Sequence, residues 1–183
     1  GHDLIGTAQT GTGKTAAFVL PILHKLLKGP RNRTRALIIT PTRELADQIH
    51  QTIVQLGRDT GIRSTTIYGG VKPGKQIDAL RRGVDIIVGT PGRVLKHLSK
   101  GTVVLSGLRT LVLDEADRML DMGFIHDIKR IIGLLPRRRQ NLIGPCLPCG
   151  MPCPERTGTG WPTYWSGPCR SGFMKSCFGW SSG

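Results

Sequence analysis

The sequence predicts an α/β fold, a parallel sheet with helices on both faces, and three observations carry that expectation. Through residues 1–143, short β-branched runs alternate with longer amphipathic ones. The short runs are apolar throughout, as strands are when both of their faces are covered. The two segments that carry recognisable chemistry each follow directly on such a run, at the carboxyl end of a strand, where open parallel sheets hold their ligands.

Leu4-Ile5-Gly6 reads as a first short strand, and Lys14 to Lys28 as a helix with a kink expected at Pro21. Arg35 to Thr40 is a buried strand. Thr42 is placed to cap a helix whose Leu45, Ala46, Ile49, Ile53 and Val54 share one face. Ser64 to Tyr68 is a third strand, followed by a helix from Gly74 to Arg82. Asp85 to Gly89 is a fourth, ending at Thr90-Pro91-Gly92-Arg93, where Thr90 suits an N-cap and Pro91 the first helical position. Thr110 to Leu113 is a fifth and runs into Asp114.

Between the first strand and its helix stands Ala8-Gln9-Thr10-Gly11-Thr12-Gly13-Lys14-Thr15. A triphosphate needs converging backbone N–H groups, and Gly11 and Gly13 let the chain curl closely enough to supply them. The following helix points its positive end at the phosphates, Lys14 adds a full charge near the β and γ oxygens, and the Thr15 hydroxyl reaches Mg²⁺. Ala8 occupies the place of the first glycine of the GxxxxGK[ST] pattern, and a methyl group still permits the turn. The second chemical segment is Asp114-Glu115-Ala116-Asp117, directly after Leu111 to Leu113. Asp114 at the strand end can hold Mg²⁺ through water, and Glu115 can orient the water that attacks a γ-phosphate. Alone, such a pair is as often an acidic first turn of a helix.

The net charge is +14, from 26 Lys and Arg against 12 Asp and Glu. Beyond residue 143 the charged residues are Glu155, Arg156, Arg170 and Lys175, so the positive field belongs to the first part of the chain. Such a field attracts polyanions, nucleic acid first. Only Phe18, Tyr68 and Phe124 are aromatic in residues 1–143, so a nucleic acid is expected to be held by its sugar-phosphate backbone, with little sequence preference. No apolar run approaches the roughly 18 residues that cross a bilayer and no signal peptide is apparent, so the expected location is cytoplasmic, without membrane contact.

With these residues in order, the chain resembles the DEAD-box RNA helicases, the bacterial ones especially, over residues 1–143. AQTGTGKT at 8–15 is similar to their motif I, Pro41-Thr42-Arg43-Glu44-Leu45-Ala46 to motif Ia, Gly69-Gly70 to the GG element, Thr90-Pro91-Gly92-Arg93 to motif Ib and DEAD at 114–117 to motif II. The resemblance implies a RecA-like P-loop NTPase domain and ATP with Mg²⁺ as cofactors. Lys14, Asp114 and Glu115 are its implied catalytic residues, with Thr15 and Asp114 at the metal. It also implies RNA gripped along its backbone by Pro41, Thr42, Arg43, Gly69, Gly70, Thr90, Pro91, Gly92 and Arg93. Taken singly, Thr-Pro is an ordinary helix start, Gly-Gly an ordinary turn and Arg ordinary surface charge.

The chain departs from the family's pattern in three places. The adenine-recognising segment upstream of the phosphate loop is missing, as is the second RecA-like domain whose arginines complete the ATP site. Where family members run into Ser-Ala-Thr, this chain reads Ile143-Gly144-Pro145-Cys146. The chain is therefore expected to be a fragment: the first domain of a helicase, or by itself a module that binds ATP and RNA without turnover. From Gly144 onward the composition changes: all five Cys and all three Trp lie there, with Leu147 as the one aliphatic residue apart from methionines. Residues 144–183 are expected to be a disordered tail from a shifted reading frame in a GC-rich gene. The rival reading is a zinc module on Cys146, Cys149, Cys153 and Cys169. His2, His24, His50, His97 and His126 form no ligand spacing and read as surface or helix-flanking residues.

Overall fold

The computed structural model describes residues 3–6 and 13–144. Ala8 to Thr12 of the glycine-rich loop, and the tail with its cysteines, lie outside the described residues. The elements are β1 (Leu4–Ile5), α1 (Lys14–Leu27), β2 (Ala36–Ile39), α2 (Arg43–Leu56), β3 (Ser64–Ile67), α3 (Pro73–Arg81) and β4 (Ile86–Gly89). They continue with α4 (Pro91–Ser99), β5 (Thr110–Leu113), α5 (Ala116–Asp121), α6 (Ile125–Leu134) and β6 (Gln140–Ile143). Six strands form one sheet in the order β1-β6-β5-β2-β4-β3, and every pairing is parallel.

The core explains why the strands read as unbroken apolar runs. Ala36 and Ile38 of β2, Ile86 and Val88 of β4 and Val112 of β5 pack in one cluster with Val19, Ile22, Leu23 and Leu26 of α1 and Ala46, Ile49 and Ile53 of α2. The intervening residues Leu37, Ile39, Ile87, Leu111 and Leu113 point to the opposite face and are equally dry. Beyond the helices of the first cluster, α4 and α6 pack on each other, with Val94, Leu95, Ile128 and Ile131 among their buried residues. Helices on both faces of a parallel sheet are thus what the burial pattern required.

Several expectations change at the level of single elements. A sixth strand, Gln140–Ile143, lies between β1 and β5, unexpected because Gln140 and Asn141 interrupt its apolar pattern. Asn141 is held at that place by Asp3, whose Oδ1 accepts from its backbone N at 2.6 Å and its Nδ2 at 3.0 Å. Val54, expected on the buried face of α2, is 54% exposed. Thr42 does cap α2, its hydroxyl accepting from Leu45 N at 3.3 Å, whereas Thr90 occupies the N-cap of α4 without a side-chain bond. The helix α1 runs unbroken through Pro21.

At the end of the sheet opposite the chemical segments, Arg35 ties α1 to the strands. Its Nη1 donates to the Lys28 carbonyl at 2.9 Å and its Nη2 to the Leu26 carbonyl at 2.7 Å, so carbonyls at the C-terminal end of α1 are met by a cation. The same Nη2 lies 3.4 Å from Asp85 Oδ1, with the two side chains 6% and 1% exposed. Asp85 Oδ2 in turn accepts from Arg63 N at 3.0 Å. Removing one partner leaves the other charge buried and uncompensated, so Asp85→Ala is expected to lower the unfolding free energy by about 3–5 kcal/mol in urea titrations. A loss under about 1 kcal/mol, the range of an exposed pair, would mean that the pair does not hold α1 in place.

Candidate active site

Parallel pairing puts the carboxyl ends of all six strands at one edge, and the segments singled out from the sequence sit along it in two groups. The first group lies at the β1, β6 and β5 side. Gly13 is the N-cap of α1 with φ 78°, a left-handed conformation that glycine adopts without strain. Lys14 and Thr15 are therefore the first two residues of the helix, half-buried, at its positive end. Asp114 follows β5 and is 4% exposed, and its Oδ1 is buried with no hydrogen-bond partner among the described residues. Burial pushes its carboxyl above the usual carboxylate range, and the Lys14 charge pulls in the opposite direction. Lys14 and Asp114, a hundred residues apart in sequence, thus act on one another across the sheet edge.

An ionised carboxylate oxygen can only accept, and a buried one without a donor is costly. The chain beyond β6 passes so close that a Cβ on Gly144 would stand 2.6 Å from Asp114 Oδ1, and no side chain fills that place. A hydrated divalent cation would bring donor waters and positive charge to this oxygen. The residues present, an orphaned carboxylate beside a lysine and a threonine at a helix N-terminus, fit Mg²⁺ with a triphosphate.

Glu115 is one of two described non-glycine residues at positive φ, with φ 52° and ψ 51°, where a side chain costs energy. Its Oε2 is 3.2 Å from Arg118 Nη1, an ion pair that orients the carboxylate on the first turn of α5.

The second group lies at the β2, β4 and β3 side. Pro41 is buried and Thr42 half-buried at the start of α2, and the Arg43 guanidinium is exposed, paired with Glu44 Oε1 at 2.7 Å. The Gly69-Gly70 turn is exposed after β3, and a Cβ on Gly70 would stand 3.5 Å from Arg43 Nη1. Thr90, Pro91 and Gly92 form the start of α4. Arg93 turns part of its guanidinium to the backbone: its Nε donates to the Tyr68 carbonyl at 3.1 Å and its Nη2 to the Val71 carbonyl at 3.1 Å. The three segments form one contiguous surface because their strands are neighbours in the order β2-β4-β3.

Sequence reasoning missed four residues of this surface. His97, expected at the surface, is 4% exposed, and Gln76 is 7% exposed; both are hydrogen-bonded beneath the Gly69-Gly70 turn. Tyr68 donates its hydroxyl to Asp47 Oδ2 at 3.0 Å, fixing β3 to α2. Gly89 ends β4 where a Cβ would stand 2.4 Å from the Ile67 carbonyl oxygen, so only glycine fits. For Gly89 the signal was an apolar strand that ended in glycine; Gln76 and His97 carried none, because a polar residue on an amphipathic helix reads as solvated, and Tyr68 read as the end of a strand.

Residues 1–144 match the DEAD/DEAH box helicase family. The chain is 51% identical over 143 residues to the ATP-dependent RNA helicase CshA of Listeria monocytogenes, covering 78% of this chain and 27% of that protein. It is 48% identical over 141 residues to the DEAD-box ATP-dependent RNA helicase CshA of Bacillus subtilis, covering 77% and 28%. The chain therefore spans under a third of the length of these relatives. Among solved structures it is similar to a DEAD box protein from Methanococcus jannaschii, with TM-score 0.72 and 38% identity over 79% of this chain and 39% of the other. It is also similar to the yeast DEAD-box splicing factor Prp28, with TM-score 0.73 and 34% identity over 78% of this chain and 36% of the other.

Burial opposes the ionisation of Asp114 in the ligand-free protein, so Asp114→Asn is expected to raise its stability at pH 7 by an amount on the order of 1 kcal/mol, a few degrees in thermal midpoint. A carboxyl whose folded pKa is raised contributes stability below its unfolded value, about 3.9, and loses it as pH rises through the folded value. The advantage of the variant should accordingly vanish near pH 4, as paired calorimetric scans would show. A variant no more stable than wild type at pH 7 would contradict the reading of Asp114 as an uncompensated charge.

Proposed function

The chain belongs to the DEAD/DEAH box helicase family, and on that premise we propose that it is the ATP-binding half of an ATP-dependent RNA helicase. The observation that carries this reading is the buried, unpartnered Asp114 Oδ1 under the influence of Lys14. A structural carboxylate would have a donor; this one is arranged for a cation.

In this reading the segment Ala8, Gln9, Thr10, Gly11, Thr12 and Gly13 would supply backbone N–H groups for the phosphates, and Lys14 would supply a charge for the β and γ oxygens. Thr15 and Asp114 would hold Mg²⁺, which would neutralise charge on the phosphates. Glu115, on its left-handed backbone, orients the water for in-line attack and takes its proton. Pro41, Thr42, Arg43, Gly69, Gly70, Thr90, Pro91, Gly92 and Arg93 form the surface for the RNA backbone. The basic, aromatic-poor composition supports recognition without base readout.

Duplex unwinding needs a second RecA-like domain, which would come from a longer protein. For this chain alone the reading is narrower: it binds Mg·ATP and RNA without turnover. Residues 144–183 stand outside the domain. Resequencing codons 140–146 tests the shifted-frame reading of the tail, and zinc content tests its rival.

Mg·ATP should bind the chain, and Lys14→Ala should weaken that binding by about tenfold or more. In a version joined to a second RecA-like domain, RNA-stimulated hydrolysis should fall by about 10²–10⁴ in Glu115→Gln while ATP binding is kept. Lys14-independent ATP binding would overturn the site, and RNA-stimulated, Lys14-dependent turnover by the chain alone would overturn the binding-only reading.

A further inference from the structure

The Gly69-Gly70 turn has no side chains of its own to hold it, and Gly70 sits at φ 82°. Its shape depends on what grips the carbonyls on either side. The Tyr68 carbonyl accepts twice, from Gln76 Nε2 of α3 at 3.0 Å and from Arg93 Nε of α4 at 3.1 Å. The Val71 carbonyl accepts from Arg93 Nη2 at 3.1 Å. Arg93 thus spans the glycine pair with its planar fork, and Gln76 holds one end of it.

Gln76 is itself held from below. Its Oε1 lies 3.3 Å from His97 Nε2, and His97 Nδ1 lies 2.8 Å from the Thr102 hydroxyl. Burial, then the nearby Arg93 and Lys100 charges, lowers the His97 pKa, so the ring is neutral at pH 7 with one N–H. One proton arrangement links Thr102, His97, Gln76 and the turn. The Thr102 hydroxyl also lies 3.0 Å from the His97 carbonyl, but that carbonyl already accepts from Thr102 N at 3.0 Å, so the hydroxyl proton can go to Nδ1 and His97 Nε2–H donates to Gln76 Oε1. The Gln76 amide is then left with its NH₂ aimed at the Tyr68 carbonyl. The flipped amide would set oxygen against oxygen, so His97 selects the orientation in which Gln76 can hold the turn.

We propose that Gln76 and His97 are positioning residues for RNA: with Arg93 they hold the Gly69-Gly70 turn in the shape in which its backbone meets a phosphate, and Arg93 serves the turn's carbonyls rather than a phosphate. This rests on the RNA-binding reading above and refines it, because the motif resemblance implies a direct contact for Arg93. The exposed guanidinium on this surface is Arg43, beside Gly70.

The test uses the whole chain, with Gln76→Met, Arg93→Lys and Arg93→Ala checked for cooperative melting. Backbone order parameters at Gly69 and Gly70 are read by NMR without RNA, and affinity for a short uridine homopolymer is read across a salt series. Gln76→Met and Arg93→Lys are both expected to lower the order parameters and to weaken RNA binding about tenfold, since each loses hydrogen bonds to the turn. The logarithmic salt slope should stay at the wild-type value in both, because neither removes a charge. Arg93→Lys binding like wild type, with Arg93→Ala reducing the slope by about 0.7, would make Arg93 a direct phosphate contact and overturn the proposal. Unchanged order parameters in Gln76→Met and Arg93→Lys would overturn it as well. Should Gln76→Met fail to melt cooperatively, Arg93→Lys alone decides by these two readouts. A wild-type chain that does not bind the homopolymer would defeat the RNA-binding reading itself, a result distinct from loss in the variants alone.

Discussion

Parallel strand pairing is the constraint from which the rest of this structure follows. Parallel neighbours cannot be joined by hairpins, so the strands are linked by crossovers, and the strands all finish at the same edge. In this sheet that edge collects the helix start at Lys14, Asp114 after β5, the caps at Thr42 and Thr90, and the Gly69-Gly70 turn. Residues a hundred positions apart meet there without any local tendency to do so. The far edge carries the structural polar network, with Arg35 and Asp85 buried and bonded to the end of α1 and to the strand starts. At the far edge the Asp85 carboxylate is bonded on both oxygens, whereas at the other the Asp114 Oδ1 has no partner among the described residues.

That division has an energetic meaning. At the far edge, Asp85 is buried with both oxygens occupied, by Arg35 and by the Arg63 amide. At the other edge, Asp114 is just as buried and has one oxygen unmatched among the described residues, and Glu115 next to it holds a left-handed backbone that a non-glycine residue avoids. Two unfavourable features in adjacent residues are tolerated because strand β5 and helix α5 over-determine their place. On the proposed reading, these locally poor choices in an otherwise consistent fold mark the part of the molecule that a ligand would complete.

On the β2, β4 and β3 side the arrangement is the reverse. Arg93, Gln76, His97 and Thr102 are joined by hydrogen bonds to one another or to the backbone on either side of a turn made of glycines. Backbone N–H groups can be presented at a surface only if the chain around them is rigid, and glycine is the least rigid residue. The buried amide and imidazole supply from α3 and α4 the stiffness the turn lacks. A basic composition attracts a polyanion from a distance, but such a scaffold decides where along the surface its backbone can dock.

Much of this was legible in the sequence, for a definite reason. Gly13 at positive φ, Lys14 opening α1, Thr42 capping α2, Pro91 at the first turn of α4 and the dry runs of β2, β4 and β5 depend on the backbone needs of a few successive residues. Such needs are written in residue order, and they were enough for the fold class, the strand-end motifs and the family. What the tertiary structure alone decided depends on distant neighbours. Gln140–Ile143 became a strand because β1 and β5 left room between them, and His97 went inside because Gln76 and Thr102 could satisfy both its nitrogens. Arg93 found carbonyls across a turn, and Asp114 was buried with no donor to its Oδ1 among the described residues. Burial and pairing are properties of the assembled sheet edge, and no window of consecutive residues contains them.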